Sequence, residues 1–494
     1  MLLQTHKATR ALIFIIVALP LAGNAFNYID TDTNDSDTAT ITNLAPISPT
    51  LCLGDKHLHP NNPKNSFTLA KKFTQPFKEW TFFVYMAADN NLYPFASRNL
   101  ADMQRIGSNK NLNIVVFLDI KLPGRPKVTK WLYIERGRMI QIGPDMSLDS
   151  GSEKTFREAV ERTIDNFPSK YLAIDFWNHG SGDLNPPMRR AINPAKLFFY
   201  NPMTKKIELD RSIGFMEFIQ LSEEKLRHKR GICFSETYKT YLDDAKLMRS
   251  LKTIKEKLGK NIDMVIFDAC LMAGTGTACI MSQFADYMVA SQEVVLGPGY
   301  DYHRVVAPLT MGNVNSKEFS HYIVTCYEKT YGNETNDYTH SALQLDVFPE
   351  VGANIHTIAT LLIDALHKDS LGNIKHILKK SRHRKNCTFF DEPSYIDLSH
   401  FYENLLKNLD QLKLSDKKAA KHIKEELKKK LKEGIQLLNR LIIANVAGKH
   451  LHKAKGISIF FPEYPIRGPY YGSFYQTEFA KNNAWAQFLK LYFA

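Results

Sequence analysis

The chain has 494 residues, of which 44% are hydrophobic and 23% charged, with a net charge of +13. That length holds two ordinary domains or one elaborated domain, and the composition excludes a disordered, fibrous or collagen-like chain. Six cysteines (Cys52, Cys233, Cys270, Cys279, Cys326 and Cys387) are too sparse for a disulfide-built scaffold.

Residues 1–25 read as an export signal. Lys7 and Arg10 precede an apolar run, Ala11–Leu21, that is too short to span a bilayer comfortably. Gly23-Asn24-Ala25 supplies the small residues before a cleavage site, which predicts a mature start at Phe26. Residues 26–75 are rich in Asn, Asp, Thr and Pro and read as a linker or pro-segment. No later stretch approaches a run of about 18 apolar residues, so no membrane span is expected in the mature form. Export then ends in the periplasm or outside the cell.

From Glu79 the texture changes. Trp80–Met86, Leu112–Asp119, Tyr171–Trp177, Ile262–Asp268, Tyr287–Ser291 and Gly456–Phe461 are short, nearly continuous apolar runs rich in β-branched and aromatic residues. Such runs suit parallel strands covered on both faces. Helical patterns lie between them at Ala96–Ile106, Glu153–Phe167, Leu242–Leu258 and Ala273–Phe284. Strand alternating with helix predicts an α/β fold, a mainly parallel sheet flanked by helices, over residues 76–301. Residues 302–455 read as a mainly helical subdomain inserted before the last strand, and 456–494 as a return strand and C-terminal helix. Lys417–Lys432 falls on one side of a helical pattern, which is either a solvated face or a patch for an anionic partner; helical spacing alone accounts for it. Cys279, on a predicted helix, reads as a small hydrophobe.

Two strand ends carry reactive residues. The third strand ends in Asn178-His179-Gly180-Ser181-Gly182, the fourth in Asp268-Ala269-Cys270-Leu271-Met272-Ala273. Ligand chemistry in open parallel sheets gathers at the carboxyl ends of strands. If these strands are neighbours, their tips lie about 5 Å apart. A free thiol has a pKa of about 8.5 and is only slightly ionised at neutral pH; an adjacent imidazole takes its proton and later returns it to a leaving amine. A helix starting just after Cys270 would favour the thiolate through its dipole. The backbone N–H groups of Gly180 and Cys270 are candidate oxyanion donors.

The segments WTFFVYMAADNNL (80–92), FWNHGSGD (176–183), MVIFDACLMA (264–273), VASQE (289–293), GPGYDY (297–302) and GISIFFP (456–462), in that order, resemble the clostripain family of cysteine peptidases. The resemblance implies a caspase-like sheet, a His–Cys dyad at His179 and Cys270, and cleavage on the carboxyl side of Arg or Lys. The polypeptide would then be the partner, with no nucleic acid. By position Asp268 takes the role of the pocket acid that receives the basic side chain. Glu293 and Asp301 are candidates for a second acid, Glu293 equally for an ion-pair role. The resemblance allows calcium, although no ligand cluster matches. It also implies self-cleavage between His179 and Cys270, at Arg230 in Arg227-His228-Lys229-Arg230-Gly231 or at Arg190 in Met188-Arg189-Arg190-Ala191.

Two other classes compete. A noncatalytic secreted binding protein would use the basic surface, and a metal hydrolase would rest on His57-Leu58-His59 and His450-Leu451-His452, i,i+2 pairs without an evident carboxylate partner.

Overall fold

Residues 73–184, 197–211, 231–465 and 472–494 are described by a computed structural model and belong to one compact unit, Asn62–Ala494. The export signal, nearly all of the linker, Arg190, Arg230, Cys52, His57 and His59 lie outside the described residues.

In chain order the strands are β1 (Lys78–Ala88), β2 (Leu112–Ile120), β3 (Val128–Glu135), β4 (Arg138–Gln141), β5 (Ser169–Trp177), β6 (Phe198–Asn201), β7 (Lys206–Leu209), β8 (Ile232–Ser235), β9 (Thr240–Leu242), β10 (Ile262–Asp268), β11 (Ala285–Ala290), β12 (Thr339–Gln344), β13 (Tyr395–Asp397), β14 (Ile442–Ala447) and β15 (Ser458–Phe460). Nine of them form the central sheet in the order β14-β12-β11-β10-β5-β1-β2-β3-β4. Its middle five, β11 to β2, run parallel, and the flanking strands pair antiparallel. This is the caspase-like α/β architecture the sequence predicts.

Alternation along β1 shows why its residues are apolar on both sides. Trp80 and Phe82 meet Phe319 of helix Ser316–Tyr331, with ring centroids at 5.3 and 6.2 Å. Tyr85, on the opposite parity, meets Phe156 of helix Glu153–Asn166 at 5.2 Å. Successive side chains of a strand point to opposite faces, so the two helices cover opposite faces of the sheet. Large side chains buried on both faces, at about 25 cal/mol per Å² of apolar surface, make β1 a central strand of the core.

Several elements differ from expectation. The helix after Cys270 is Thr275–Met281 and starts five residues on, not immediately. Between them Leu271 has φ 61°, a left-handed conformation that costs a branched side chain about 1–2 kcal/mol. The turn follows the end of the strand and separates Cys270 from the first turn of the helix in sequence. Gly456–Phe461 does not return to the central sheet: β15 pairs with β13 in a separate two-stranded sheet. The region read as mainly helical carries helices such as Ser316–Tyr331, Phe348–His367 and Lys417–Leu441, and also contributes β12 and β14 to the central sheet. Helix Lys417–Leu441 buries Ile423, Leu427, Leu431 and Leu438 against helix Phe348–His367 and leaves Lys417, Lys418, Lys421, Lys429 and Lys432 exposed, the solvated face. Cys279 packs half-buried against the core. Among the described residues no helix is long and apolar enough to cross a membrane.

Candidate active site

β5 and β10 are hydrogen-bonded neighbours, with Trp177 opposite Asp268. His179 and Cys270, 91 residues apart in sequence, therefore leave the sheet side by side. The approach is close: a Cβ added to Gly180 would lie 2.5 Å from the Cys270 carbonyl oxygen, so only glycine fits there. Asn178 bolts the same turn down, donating to the Ala87 carbonyl and accepting the Phe234 N–H at 2.9 Å.

His179, Cys270, Asp268, Trp177, Leu197 and Phe198 line one cleft, which has about 450 Å³ of empty space with open solvent included. His179 is 5% exposed, and its Nε2 lies 2.6 Å from Asn91 Oδ1. The amide oxygen can only accept, so Nε2 carries the hydrogen and Nδ1 is left as the basic nitrogen. Burial lowers the imidazole to about 4, so it is neutral at pH 7, the form that can take a proton. Cys270 is 6% exposed, and its Sγ accepts the Val295 N–H at 3.2 Å. Burial pushes this thiol well up, and the carboxylates of Glu293, Asp268 and Asp391 add to the rise. The cleft thus holds a protonated thiol and a neutral imidazole.

The acids sort themselves. Asp268 lines the cleft, and both of its hydrogen bonds, from the Tyr300 N–H at 3.1 Å and the Tyr302 hydroxyl at 3.0 Å, fall on Oδ2. Burial raises it to about 6 against those two donors. Glu293 does not line the cleft. It is fully buried, with Oε1 taking the N–H groups of Val294 and Asp391 and Oε2 paired to Arg211 at 2.9 Å. Asp301 caps the helix Tyr302–Val306 and pairs with Arg304 at 3.1 Å. Gly180 forms an isolated β-bridge with Ile232.

One further element reaches the cleft. The hairpin β6–β7, from the stretch between His179 and Cys270, brings Leu197 and Phe198 to its lining. It is held by Arg211 on Glu293 and Asp337, by Leu209 N–H on Asp337 Oδ2 at 3.2 Å, and by Lys206 on the Gly332 carbonyl at 2.9 Å.

The residues that sequence reasoning missed are Asn91, Asp175 and Tyr302. Asp175 had a visible signal, an acid inside an apolar strand buried on both faces; Asn91 and Tyr302 meet the site only through tertiary structure.

Of the two histidine pairs of the metal reading, only His450 and His452 can be followed, and they turn to different partners. His450 Nδ1 sits 3.1 Å from Asp337 and His452 Nδ1 3.0 Å from the Lys449 carbonyl, while His57 and His59 lie outside the described residues. Among the described residues no three His, Cys, Asp or Glu side chains converge to hold an ion.

A sequence model of the clostripain family matches residues 84–192 and 220–492. An inactive zymogen C11 protease from Parabacteroides distasonis superposes with a TM-score of 0.52, at 16% identity, over 83% of this chain and 99% of that one. A secreted C11 cysteine protease from Bacteroides thetaiotaomicron, in complex with an irreversible peptide inhibitor, gives 0.50 at 16% identity, over 83% and 99%. At such identities these structures speak for the fold. No curated protein matches the chain.

Proposed function

The chain belongs to the clostripain family and is a cysteine peptidase acting on polypeptides, and on that premise we propose that it is an exported endopeptidase that cleaves after Arg or Lys through His179 and Cys270. The observation that carries this reading is the cleft in which a neutral imidazole, a thiol and the buried Asp268 meet at adjacent strand ends. His179 Nδ1 takes the Cys270 proton as the sulfur attacks the carbonyl carbon, then gives it to the leaving amine. The Val295 N–H at the sulfur supports the developing thiolate. The N–H groups of Gly180 and Cys270 are our candidates for the oxyanion. Asp268 receives the guanidinium or ammonium of the residue before the cut bond, and Glu293, neutralised by Arg211, drops out of that role.

Export rests on the sequence of residues 1–25. Self-processing rests on the basic sites at Arg230 and Arg190, which flank the hairpin that reaches the cleft, and a zymogen is known among the structural neighbours. The reading is tested by incubating the purified protein with Arg-, Lys- and neutral-ending fluorogenic peptides, with and without EDTA. Hydrolysis confined to the basic peptides and abolished by iodoacetamide is expected. Hydrolysis lost in EDTA yet untouched by iodoacetamide would return the protein to metal chemistry, and no hydrolysis of any peptide by intact or processed protein would favour a binding role.

A further inference from the structure

Beneath the cleft, on the face of the sheet covered by helix Tyr302–Val306, three polar groups form a chain. The Tyr302 hydroxyl lies 2.7 Å from Asp175 Oδ2 and 3.0 Å from Asp268 Oδ2. All three side chains are buried, with Asp175 and Tyr302 at 0% exposure. A phenol has one hydrogen to donate, and an ionised carboxylate only accepts. Two carboxylates flanking one hydroxyl would leave one contact as oxygen lone pair against oxygen lone pair, in a low-dielectric site where that is costly. The trio is satisfied only if it holds a second proton on one of the acids.

The partners say which. Asp268 Oδ2 already accepts the Tyr300 N–H at 3.1 Å, so it suits a carboxylate taking two donors. The Asp175 carboxyl takes the Tyr302 hydroxyl on Oδ2 and has the Asp268 backbone N–H beside it, but its Oδ1 is buried with no hydrogen-bond partner, an arrangement far cheaper for a neutral acid than for an anion. We infer that Asp175 is a permanently protonated carboxylic acid whose Oδ2–H donates to Tyr302, which donates in turn to Asp268, so that the pocket acid is kept as the charged member and presents Oδ1 to the cleft. Asp175 is thus a positioning residue for substrate specificity, an inference that rests on reading Asp268 as the pocket acid. Burial and the neighbouring Asp268 raise the Asp175 carboxyl well above the usual range, in agreement. The other titratable groups acting on the pair are Tyr300, Tyr327, Tyr331, Cys233 and Cys270, none of them cationic. With no cation among the described residues acting on the pair, the substrate's own basic side chain is the counter-charge that would complete the site. Like charges this close cannot both ionise, so a proton parked on Asp175 reserves the single charge for the residue that touches substrate.

The test is a pH titration by ¹³C NMR of full-length Cys270→Ala protein labelled at the Asp carboxyl carbons. One Asp is expected to keep the neutral-acid shift at pH 7, and its signal to vanish in Asp175→Asn, whose amide can donate to Tyr302 in the proton's place. No neutral Asp at pH 7, or a neutral signal lost in Asp268→Asn and kept in Asp175→Asn, overturns the inference. Should Asp175→Asn not fold, Tyr302→Phe serves: removing one donor from Asp268 must raise its titration midpoint, and an unchanged midpoint is a refutation. Because the readout needs no turnover, an enzyme that fails to prefer basic peptides would sink the specificity reading while the proton on Asp175 still stood.

Discussion

Replacing Asp268 by Asn removes one negative charge from the cleft and almost nothing else. The amide oxygen can still accept from the Tyr300 N–H and the Tyr302 hydroxyl, now held at 3.1 and 3.0 Å, so the strand end keeps its bonds. A carboxylate this buried, 6% exposed, is barely screened by solvent, and unpairing a desolvated charge pair costs about 2–5 kcal/mol. At 1.4 kcal/mol per tenfold, kcat/KM on Arg and Lys peptides should fall about 30-fold to a few thousand-fold. A peptide with a neutral side chain before the cut bond has no charge to lose and should change less than about threefold, the scale of one weakened neutral hydrogen bond. The assay is kcat/KM on matched Arg, Lys and norleucine fluorogenic peptides for both proteins, with thermal midpoints alongside. An equal fall on all three peptides refutes the pocket role and leaves Asp268 as a strand-end anchor.

Other expectations follow from the same geometry. Cys270→Ala and His179→Ala should each abolish hydrolysis in a folded protein, with the double variant little worse, since the two act as a unit; appreciable turnover by Cys270→Ala removes the sulfur from the mechanism. Asp268 is neutral below and charged above about 6, so the ratio of kcat/KM on Arg to that on neutral peptides should climb as pH rises through that value, and a flat ratio from about pH 5 to 8 contradicts it. His179, lowered to about 4, stays a neutral base over that range, so turnover of the neutral peptide should hold down to about pH 5. Gly180→Ala puts a methyl 2.5 Å from the Cys270 carbonyl oxygen and should cost at least about 100-fold in kcat, as a misplacement near 1 Å does; near-normal kcat means the strand ends are looser than described. Expressed and purified identically, wild type should give two fragments and Cys270→Ala one intact chain; cutting in both assigns the nick to another protease.

The parallel centre was legible because its strands are buried on both faces and so read as unbroken apolar runs. β1, β2, β5, β10 and β11 all lie within two or three residues of expectation. The antiparallel flanks were not. β3 mixes Lys130 and Thr129 among apolar residues, and β14, Ile442–Ala447, follows helix Lys417–Leu441 without a break, so its β-branched residues extended the helical pattern instead of ending it. His179, Cys270 and Asp268 were legible because short motifs hold them at strand ends. Glu293 had the right charge and neighbourhood, but Arg211, 82 residues before it, claims it through a contact no local pattern encodes. The Asp175–Tyr302–Asp268 chain likewise spans 127 and 34 positions in sequence.

The order of the central sheet has a consequence for a chain cut between His179 and Cys270. Everything from β4 across to β5 comes before the cut and everything from β10 across to β14 comes after it, so the sheet parts along one line, with four ladders inside the first fragment, three inside the second and one shared between them. That line is the β5–β10 seam, and the imidazole and thiol stand on opposite banks of it. The two pieces would migrate apart on a denaturing gel yet travel as one particle in native buffer, because a seam at the middle of a buried sheet behaves as an obligate interface. Once unfolded, though, they must find each other. Refolding of a continuous chain is first-order, whereas recovery of the severed one depends on fragment concentration. Cutting would thus exchange a molecule able to fold again for one that, in dilute surroundings, folds once.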